Sequence, residues 1–317
     1  MHPSLSLPNS TNVRNALSLA WTRAQLSVSS ALAPAAALDK ATRLFLTPPR
    51  FSHTAREREL LSIGVRYAVA SPYGTLAAWR FGHEARPAVL LSHGWGGRGA
   101  QFRASVPRLL EAGYQVIAFD HVAHGHSEGH EASLVHFVRG VDAVARDLEA
   151  RGVTVAGAIG HSLGAAALGA WLRGANVKPR VVLLAPPSSI IRYSGHFARM
   201  LGLPERLRRE MQSRIERRLG MAWSEFELPG ALQGIDAPAL VIHDTADKDV
   251  PYASGLAVAR AWKGARFVAT TGLGHRAILR SDTVVADTLD FLRDEVRFAP
   301  PPGPREGFAF AAPAPLL

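Results

Sequence analysis

Short apolar runs recur along the chain from residue 65 onward, and segments with helical periodicity separate them. Val65–Ala70 and Leu76–Phe81 flank the turn sequence Ser71–Gly74, which predicts an antiparallel hairpin. The later runs, bounded by glycine and polar residues, are predicted as strands Ala88–His93, Tyr114–Asp120, Val153–Gly160, Arg180–Ala185, Ala239–His243 and Phe267–Thr271. Between them lie the predicted helices Gly99–Ala112, Leu134–Arg151, Leu163–Leu172, Ser254–Trp262 and Asp282–Phe291. Alternating strands and helices predict an α/β fold with an eight-stranded, mostly parallel sheet covered on both faces.

Two helical segments stand outside this alternation. Residues 1–60 form a predicted N-terminal helical extension, with an amphipathic helix over about Asn12–Ser30 and a short helix over Leu38–Phe45. Residues 186–238 form a predicted helical cap insertion. The sheet and its helices then comprise residues 61–185 and 239–298, and the Pro/Ala-rich tail 299–317 is predicted to be disordered.

The inserted segment is basic and amphipathic. Eight arginines lie between Arg192 and Arg218, diluted by glutamates, while Leu207, Met211, Ile215 and Leu219 recur at a spacing of four. We interpret this pattern as a cap helix covering an acyl pocket. Binding to an anionic membrane or to nucleic acid would be the alternatives, and the segment lacks the interleaved aromatic residues that stack on bases.

Composition narrows the function classes. The net charge is +10, carried mostly by arginine, and we interpret it as an ordinary surface property rather than as a nucleic-acid site. The chain has no cysteine, which excludes disulfides, thiolate metal sites and a cysteine nucleophile. No apolar run is long enough to span a bilayer, and Arg23 and Gln25 interrupt the one stretch that resembles a signal peptide. We therefore expect a cytoplasmic protein without stable membrane insertion.

The strongest chemical motif is Gly160-His161-Ser162-Leu163-Gly164. It follows a predicted strand and opens a predicted helix, which is the context of a nucleophile elbow. Small residues beside the serine allow a sharp turn that holds its hydroxyl above the carboxyl end of the sheet. Ser162 is therefore the predicted nucleophile.

A glycine-rich turn follows the strand at Ala88–His93. His93-Gly94-Trp95-Gly96-Gly97 can point a backbone N–H toward the nucleophile, and the N–H of Leu163 lies at a helix start. Two such donors would bind the oxyanion of a tetrahedral intermediate. We expect this turn and Leu163 to form an oxyanion hole.

A base and an orienting acid are expected downstream of Ser162. Of the three histidines there, His196 lies in the insertion and His243 ends a strand, whereas His275 lies in a glycine-rich loop past the last strand. His275 is the predicted base. Three aspartates are candidates for the acid, and Asp244 lies too close to the strand end. Asp247 has room to reach His275 from its loop, and Asp249 is the alternative. An orienting carboxylate should be buried, so a wrong choice would have an exposed side chain.

The segment from Asp120 to His130 is rich in histidine. His121, His124, His126 and His130 invite comparison with a metal site, but no carboxylate spacing typical of zinc hydrolases accompanies them. We interpret the segment as a polar loop in which Asp120 and Ser127 tie the turn together, and we predict no metal and no organic cofactor.

These motifs together resemble the α/β-hydrolase superfamily, and in particular its bacterial esterase-like and serine-aminopeptidase-like members. The matching stretches are Leu91–Gly97, Phe119–Gly129, Gly160–Gly164, Val241–Pro251 and Gly272–Leu279. The resemblance implies the α/β-hydrolase fold, Asp247 as the acid, the N–H groups of Trp95 and Leu163 as oxyanion donors, and residues 185–239 as the cap. The segment after Asp120 departs from the family pattern, because Val122 stands where a proline and Ala123 where a glycine is usual, and His121 and His126 are additional histidines.

The predicted function is hydrolysis of carboxylic esters or related acyl bonds in a small-molecule substrate through an acyl-enzyme. A peptidase, a thioesterase or a C–C hydrolase on the same fold stays open, as does a non-catalytic ligand-binding protein.

Overall fold

The computed structural model describes residues 10–293, with side chains from residue 18 onward. Its strands are β1 (Val65–Ser71), β2 (Gly74–Phe81), β3 (Ala88–Ser92), β4 (Gln115–Phe119), β5 (Val155–His161), β6 (Arg180–Leu184), β7 (Ala239–Asp244) and β8 (Arg266–Thr270). They form one sheet in the order β1-β2-β4-β3-β5-β6-β7-β8. β1 and β2 pair antiparallel, β2 pairs antiparallel with β4, and the remaining pairs are parallel. The predicted α/β-hydrolase fold with its hairpin and eight-stranded sheet is confirmed.

The helices of the described residues are α1 (Ser10–Leu32), α2 (Pro34–Leu46), α3 (Ala55–Ser62), α4 (Ser105–Glu111), α5 (Leu134–Ala150), α6 (Leu163–Trp171), α7 (Ile190–Leu201), α8 (Glu205–Leu219), α9 (Leu228–Ala231), α10 (Tyr252–Ala261), α11 (Gly274–Ala277) and α12 (Asp282–Arg293). One prediction differs from this set, because the segment predicted as a single helix over Gly99–Ala112 is a 3-10 turn at Gly99–Phe102 followed by α4. Gly99 packs so closely on β4 that an added Cβ would lie 2.9 Å from the carbonyl oxygen of Phe119, so this position requires glycine.

Both faces of the sheet are buried, as the continuous apolar strands require. Along β3, Ala88 and Leu90 belong to an apolar cluster that includes residues of α5, α6 and α10, whereas Val89 and Leu91 belong to a second cluster with α4 and α12. Side chains alternate between the two sides of a strand, so consecutive residues face different helical layers. Because these strands are parallel, the carboxyl ends of β3, β5 and β7 lie at the same edge of the sheet. The predicted site residues follow these strand ends.

The helices of the insertion pack against the N-terminal helices. The sequence did not indicate this contact. A third apolar cluster, called the cap core below, contains residues 26–46 of α1 and α2 together with residues of α7, α8 and the turn at Trp223–Phe226. Its buried members are Leu26, Ala37, Leu38, Ala41, Phe45, Leu46, Ala198, Leu201, Leu203, Leu207, Met211, Ile215 and Trp223. The stripe at Leu207, Met211 and Ile215 thus packs in this core, where α8 contacts α2 and α7, and not over an acyl pocket, which corrects that expectation.

Residues 294–317 lie outside the described residues, and the predicted disordered tail 299–317 falls among them. Within residues 10–293, none of the helices is long and apolar enough to cross a membrane.

Candidate active site

Ser162 occupies a sharp turn between β5 and α6. Its backbone has φ 52° and ψ −122°, a conformation that costs a residue with a side chain roughly 1–3 kcal/mol. The turn is held because the Ser162 N–H donates to the Leu184 carbonyl at 2.9 Å, while the Ser162 carbonyl accepts the N–H of Ala165 at 2.9 Å. Strain of this kind persists where the surrounding structure fixes the backbone, and it is typical of a nucleophile elbow.

The glycines around Ser162 are required by close packing of backbones. A Cβ atom added at Gly160 would lie 2.6 Å from Ala165 Cα, and one added at Gly164 would lie 2.2 Å from the carbonyl oxygen of Ser92. Both distances are far below van der Waals contact, so β5, α6 and the end of β3 can approach only with glycine at these two positions.

The glycine-rich turn after β3 lies directly against the elbow. A Cβ atom at Gly94 would be 2.9 Å from Ser162 Cβ. On one side of the turn, Gly96 N–H donates to His124 Nε2 at 3.0 Å, and this bond fixes the peptide next to Trp95. Leu163 is the first residue of α6, where N–H groups have no partner within the helix. The two predicted oxyanion donors, Trp95 and Leu163, line the same cavity as Ser162.

The histidines near this turn have structural contacts. His121 N–H donates to His93 Nε2 at 2.9 Å, so the proton of the His93 ring is on Nδ1, which donates to the Gly94 carbonyl at 2.8 Å. His124 likewise donates from Nδ1 to the Val122 carbonyl at 2.9 Å, since its Nε2 accepts from Gly96. These rings are neutral supports of the glycine-rich turn.

Asp120 ties the loop after β4 together, as predicted. Its Oδ1 accepts Gly99 N–H at 2.8 Å, its Oδ2 accepts His126 N–H at 2.9 Å, and Ser127 Oγ donates to its carbonyl at 2.5 Å. His53 and His126 bring ring nitrogens near the carboxylate, and the three potential ligand atoms lie within 4.8 Å of one another. Both carboxylate oxygens already serve backbone N–H groups, so the turn accounts for Asp120 without a metal ion.

Ala123 lies in the same loop, at a position where the family pattern usually has glycine. Its φ is +62°, in the left-handed region where glycine is favoured. Its N–H donates to the Glu128 carbonyl at 2.7 Å, which holds the conformation in spite of the Cβ atom. The loop therefore keeps the shape that a glycine would give it.

Asp247 and His275 are in direct contact. The Nδ1 of His275 lies 2.7 Å from Asp247 Oδ2, and the Asp247 side chain is fully buried, whereas the side chain of Asp249 is 54% exposed. The Oδ1 of Asp247 accepts the N–H groups of Asp249 and Val250, each at 2.9 Å. By the burial criterion for the acid, this geometry favours Asp247 over Asp249.

A second histidine contacts the same carboxylate, and no local sequence pattern indicates this contact. His243 Nε2 lies 3.3 Å from Asp247 Oδ2 and 3.0 Å from the Val250 carbonyl, so it donates to both oxygens. Burial alone raises the pKa of Asp247, but hydrogen bonds from His243, His275 and the Val250 N–H outweigh it and hold the pKa well below the usual range. Asp247 is therefore ionised at neutral pH.

Two further contacts position the loop that carries His275. Asp244 Oδ2 accepts Leu273 N–H at 3.0 Å and Thr270 Oγ1–H at 2.8 Å, while its Oδ1 accepts Ala246 N–H at 2.9 Å. His161, which directly precedes Ser162, donates from Nε2 to the His275 carbonyl at 2.8 Å. Asp244 thus joins the loops of Asp247 and His275, and His161 joins the His275 loop to the elbow.

The cavity beside Ser162 has a volume of about 80 Å³ and mostly apolar walls. Ser162, Leu163 and Ala166 come from the elbow, and the other lining residues are Phe45, Trp95, Ser133, Leu134, Val135, Pro187, Ser189, Ile190, Tyr193, Trp223, Phe226 and Val250. None of the lining residues in the described part of the chain carries a charge. Such walls accept an uncharged apolar group and disfavour a charged one.

Buried histidines make stability depend on pH. Burial lowers the pKa of His93 and His136 to about 4 and that of His124 and His161 to about 3, and it lowers the pKa of His121 well below 6.5. The unfolded chain protonates these rings below about pH 6.5, so it binds more protons than the folded state between pH 4 and 6.5. We expect the free energy of unfolding to fall as pH decreases through this window.

Urea denaturation at pH 7.5 and 5.5 measures this loss. His136→Gln should flatten the dependence by up to about 1.4 kcal/mol per pH unit, the effect of one proton. His130→Gln is the matched control, because His130 is exposed. Equal stability of the wild type at both pH values would contradict the expectation.

Comparison with known families agrees with this architecture. Residues 83–223 match the family described as "Serine aminopeptidase, S33", and residues 223–296 match the family described as "TAP-like protein". The chain belongs to the α/β-hydrolase superfamily. These matches cover the sheet from the end of β2, the insertion and the last helix.

Individual relatives of this superfamily are distant. A non-heme haloperoxidase of Rhodococcus erythropolis is 26% identical, and the match covers 71% of this chain and 98% of the relative. The structure of a Pyrococcus furiosus esterase matches with a TM-score of 0.62 and 19% identity, covering 78% of this chain and 98% of the esterase. A Bacillus subtilis carboxylesterase matches with a TM-score of 0.55 and 16% identity, covering 76% and 97%. These structural similarities establish the α/β-hydrolase fold.

Proposed function

We propose that the protein is a serine hydrolase that cleaves carboxylic esters through an acyl-enzyme. One observation carries the proposal: Ser162 on its strained turn shares a cavity with Trp95 and Leu163, and the elbow is bonded to the loop in which buried Asp247 holds His275. Nucleophile, base, orienting acid and oxyanion donors are thus assigned to adjacent elements.

In the proposed reaction, Ser162 Oγ attacks the ester carbonyl carbon while His275 takes the hydroxyl proton. Asp247 keeps the proton of the His275 ring on Nδ1, which leaves Nε2 free to act as the base. The N–H groups of Trp95 and Leu163 stabilise the oxyanion, and one such donor contributes about a hundred- to a thousandfold in rate. His275 then protonates the departing alcohol, and a water molecule activated by His275 hydrolyses the acyl-serine. The proposal requires no metal and no organic cofactor.

An aminopeptidase is the second candidate, because the longer family match carries that description. Recognition of a free α-amino group needs an anionic partner near the scissile bond, and the residues that line the cavity supply no carboxylate. The lining therefore favours an uncharged ester over a peptide with a charged amino terminus.

Labelling and turnover test the proposal on the full-length protein. A fluorophosphonate should modify Ser162, identified by mass spectrometry of the labelled peptide, and p-nitrophenyl butyrate should be hydrolysed. Phenylalanine p-nitroanilide should be a poor substrate. The absence of both labelling and ester turnover would refute the proposal. Ligand binding without labelling would favour a non-catalytic protein. Faster cleavage of the anilide than of the ester would favour the peptidase.

A further inference from the structure

The N-terminal helices reach the wall of the cavity beside Ser162. Phe45, in the last turn of α2, lines this cavity together with Tyr193 of α7 and Trp223. Its ring stacks on Trp223 with centroids 5.4 Å apart and an angle of 25°, and it meets the ring of Phe197 edge-on at 5.1 Å. A side chain contributed by the extension is thus part of the candidate substrate site.

The end of α2 is also bonded to the opposite wall. The Leu46 carbonyl accepts the N–H of Ala132 at 2.7 Å, and the next three residues, 133–135, line the cavity. Four residues beyond Leu46, the Arg50 guanidinium donates to the carbonyls of Ser127 and Gly129 at 3.0 and 2.8 Å. These bonds fix Phe45 relative to the loop that precedes α5.

Burial indicates that the insertion is incomplete without these helices. In the cap core, Leu207, Met211 and Ile215 of α8 are at most 1% exposed, and α8 contacts α2 and α7. Asp39 of α2 additionally pairs with Arg214 of α8. The apolar face of α8 therefore has its partner in the N-terminal extension.

The family matches do not include the N-terminal helices. They begin at residue 83, beyond α1, α2 and α3 and also beyond β1 and β2. The haloperoxidase and the Pyrococcus furiosus esterase are each covered to 98% of their length by 71% and 78% of this chain. The family matches therefore assign no role to Phe45.

We propose that α2, packed against α1, forms part of the substrate-binding cap, and that Phe45 restricts the site to esters with a compact, uncharged, apolar acyl group. The proposal rests on the proposed function. Five aromatic side chains surround the cavity, namely Phe45, Trp95, Tyr193, Trp223 and Phe226. Phe45 contributes the part of the wall that belongs to α2, and an acyl chain that extends toward α2 meets this ring. A carboxylate or ammonium group would be desolvated there without a partner.

The acyl-chain profile of p-nitrophenyl esters tests the size limit. Wild type should prefer acetate and butyrate over octanoate and decanoate. Phe45→Ala should raise the octanoate/butyrate ratio of kcat/KM by about tenfold or more, since pocket contacts of one or two methylenes change such ratios by that amount. Phe45→Trp should shift the ratio in the opposite direction. Leu44→Ala is the matched control, because Leu44 is the neighbouring residue of α2 and is 40% exposed.

The preference for an uncharged acyl group is tested with two esters of similar acyl length. p-Nitrophenyl butyrate should exceed mono-p-nitrophenyl succinate by about a hundredfold in kcat/KM, because the succinyl carboxylate would lose its hydration in the apolar site. Equal rates for the two esters would overturn the assignment of an uncharged acyl group.

The outcomes separate this inference from the proposed function. Wild type that neither reacts with a fluorophosphonate nor cleaves esters contradicts the proposed function. The other outcome is that wild type reacts with the fluorophosphonate and cleaves esters, but all variants share its acyl-chain profile. This result contradicts only the role of Phe45, and the variants compared are Phe45→Ala, Phe45→Trp and Leu44→Ala. Thermal unfolding of each variant identifies loss of fold, and Phe45→Leu supplies a conservative replacement should Phe45→Ala not fold.

Discussion

Ser162→Ala is expected to lower kcat for p-nitrophenyl butyrate by about 10⁶-fold, the loss found when the nucleophile of a serine hydrolase is removed. The reason is that no other hydroxyl is expected to take the position that the elbow gives Ser162, between β5 and the start of α6. The oxyanion donors are backbone N–H groups and are retained, so a small residual rate over water should survive. The measurement is a comparison of kcat with active-site-titrated wild type.

The same position allows a second readout that is independent of activity. Ser162 has φ 52°, and alanine keeps this strain, whereas glycine relieves it. We expect Ser162→Gly to be as inactive as Ser162→Ala but more resistant to urea than Ser162→Ala by about 1 kcal/mol. Ser62→Ala, an exposed serine of α3, controls for unspecific labelling by the fluorophosphonate. Retained labelling or turnover in Ser162→Ala would show that the nucleophile is another residue.

The sheet could be predicted from sequence because its strands are short apolar runs bounded by glycine or polar residues. Buried on both faces, β3 and β5 require apolar residues at consecutive positions, and this requirement is visible without tertiary information. The elbow was predictable because its glycines stand in one strand–turn–helix unit. The clash that Gly160 avoids arises within this unit, whereas the clash that Gly164 avoids is with Ser92 at the end of β3.

The composite cap could not be predicted from the same information. The apolar stripe of α8 shows that the helix has a buried face, but periodicity does not identify the element that covers it. The partner from outside the insertion proved to be α2, more than a hundred residues earlier in the chain. For the same reason nothing in the sequence connected Phe45 with Ser162.

The contacts around the acid also could not be predicted from the sequence. Asp247 and Asp249 are two residues apart in one loop, and only the folded structure makes one side chain buried and leaves the other 54% exposed. The position of His243 at the end of a strand predicts only a packed side chain. It is buried, but its ring also donates toward Asp247, a contact that depends on how the loop after β7 folds back.

Asp247→Asn is expected to lower kcat by about 10⁴-fold, the loss that follows when a carboxylate that orients a catalytic histidine becomes an amide. The amide oxygen can still accept the N–H groups of Asp249 and Val250, so the loop should keep its shape. Its NH₂ group then faces His275 Nδ1 and His243 Nε2, where two donors previously met a carboxylate. His275 is forced to accept at Nδ1, which places its proton on Nε2 and removes the base.

Asp249→Asn is the matched control, since it makes the same chemical change two residues away on an exposed side chain. It should change kcat by no more than a few fold. Because a catalytic histidine with the wrong tautomer loses its function as a base, the activity of Asp247→Asn should recover partly at high pH, where hydroxide replaces the general base. A variant that merely unfolded would not recover. A large loss in Asp249→Asn with little loss in Asp247→Asn would reverse the assignment of the acid, and it would mean that the buried Asp247–His275 contact serves only to hold the two loops together.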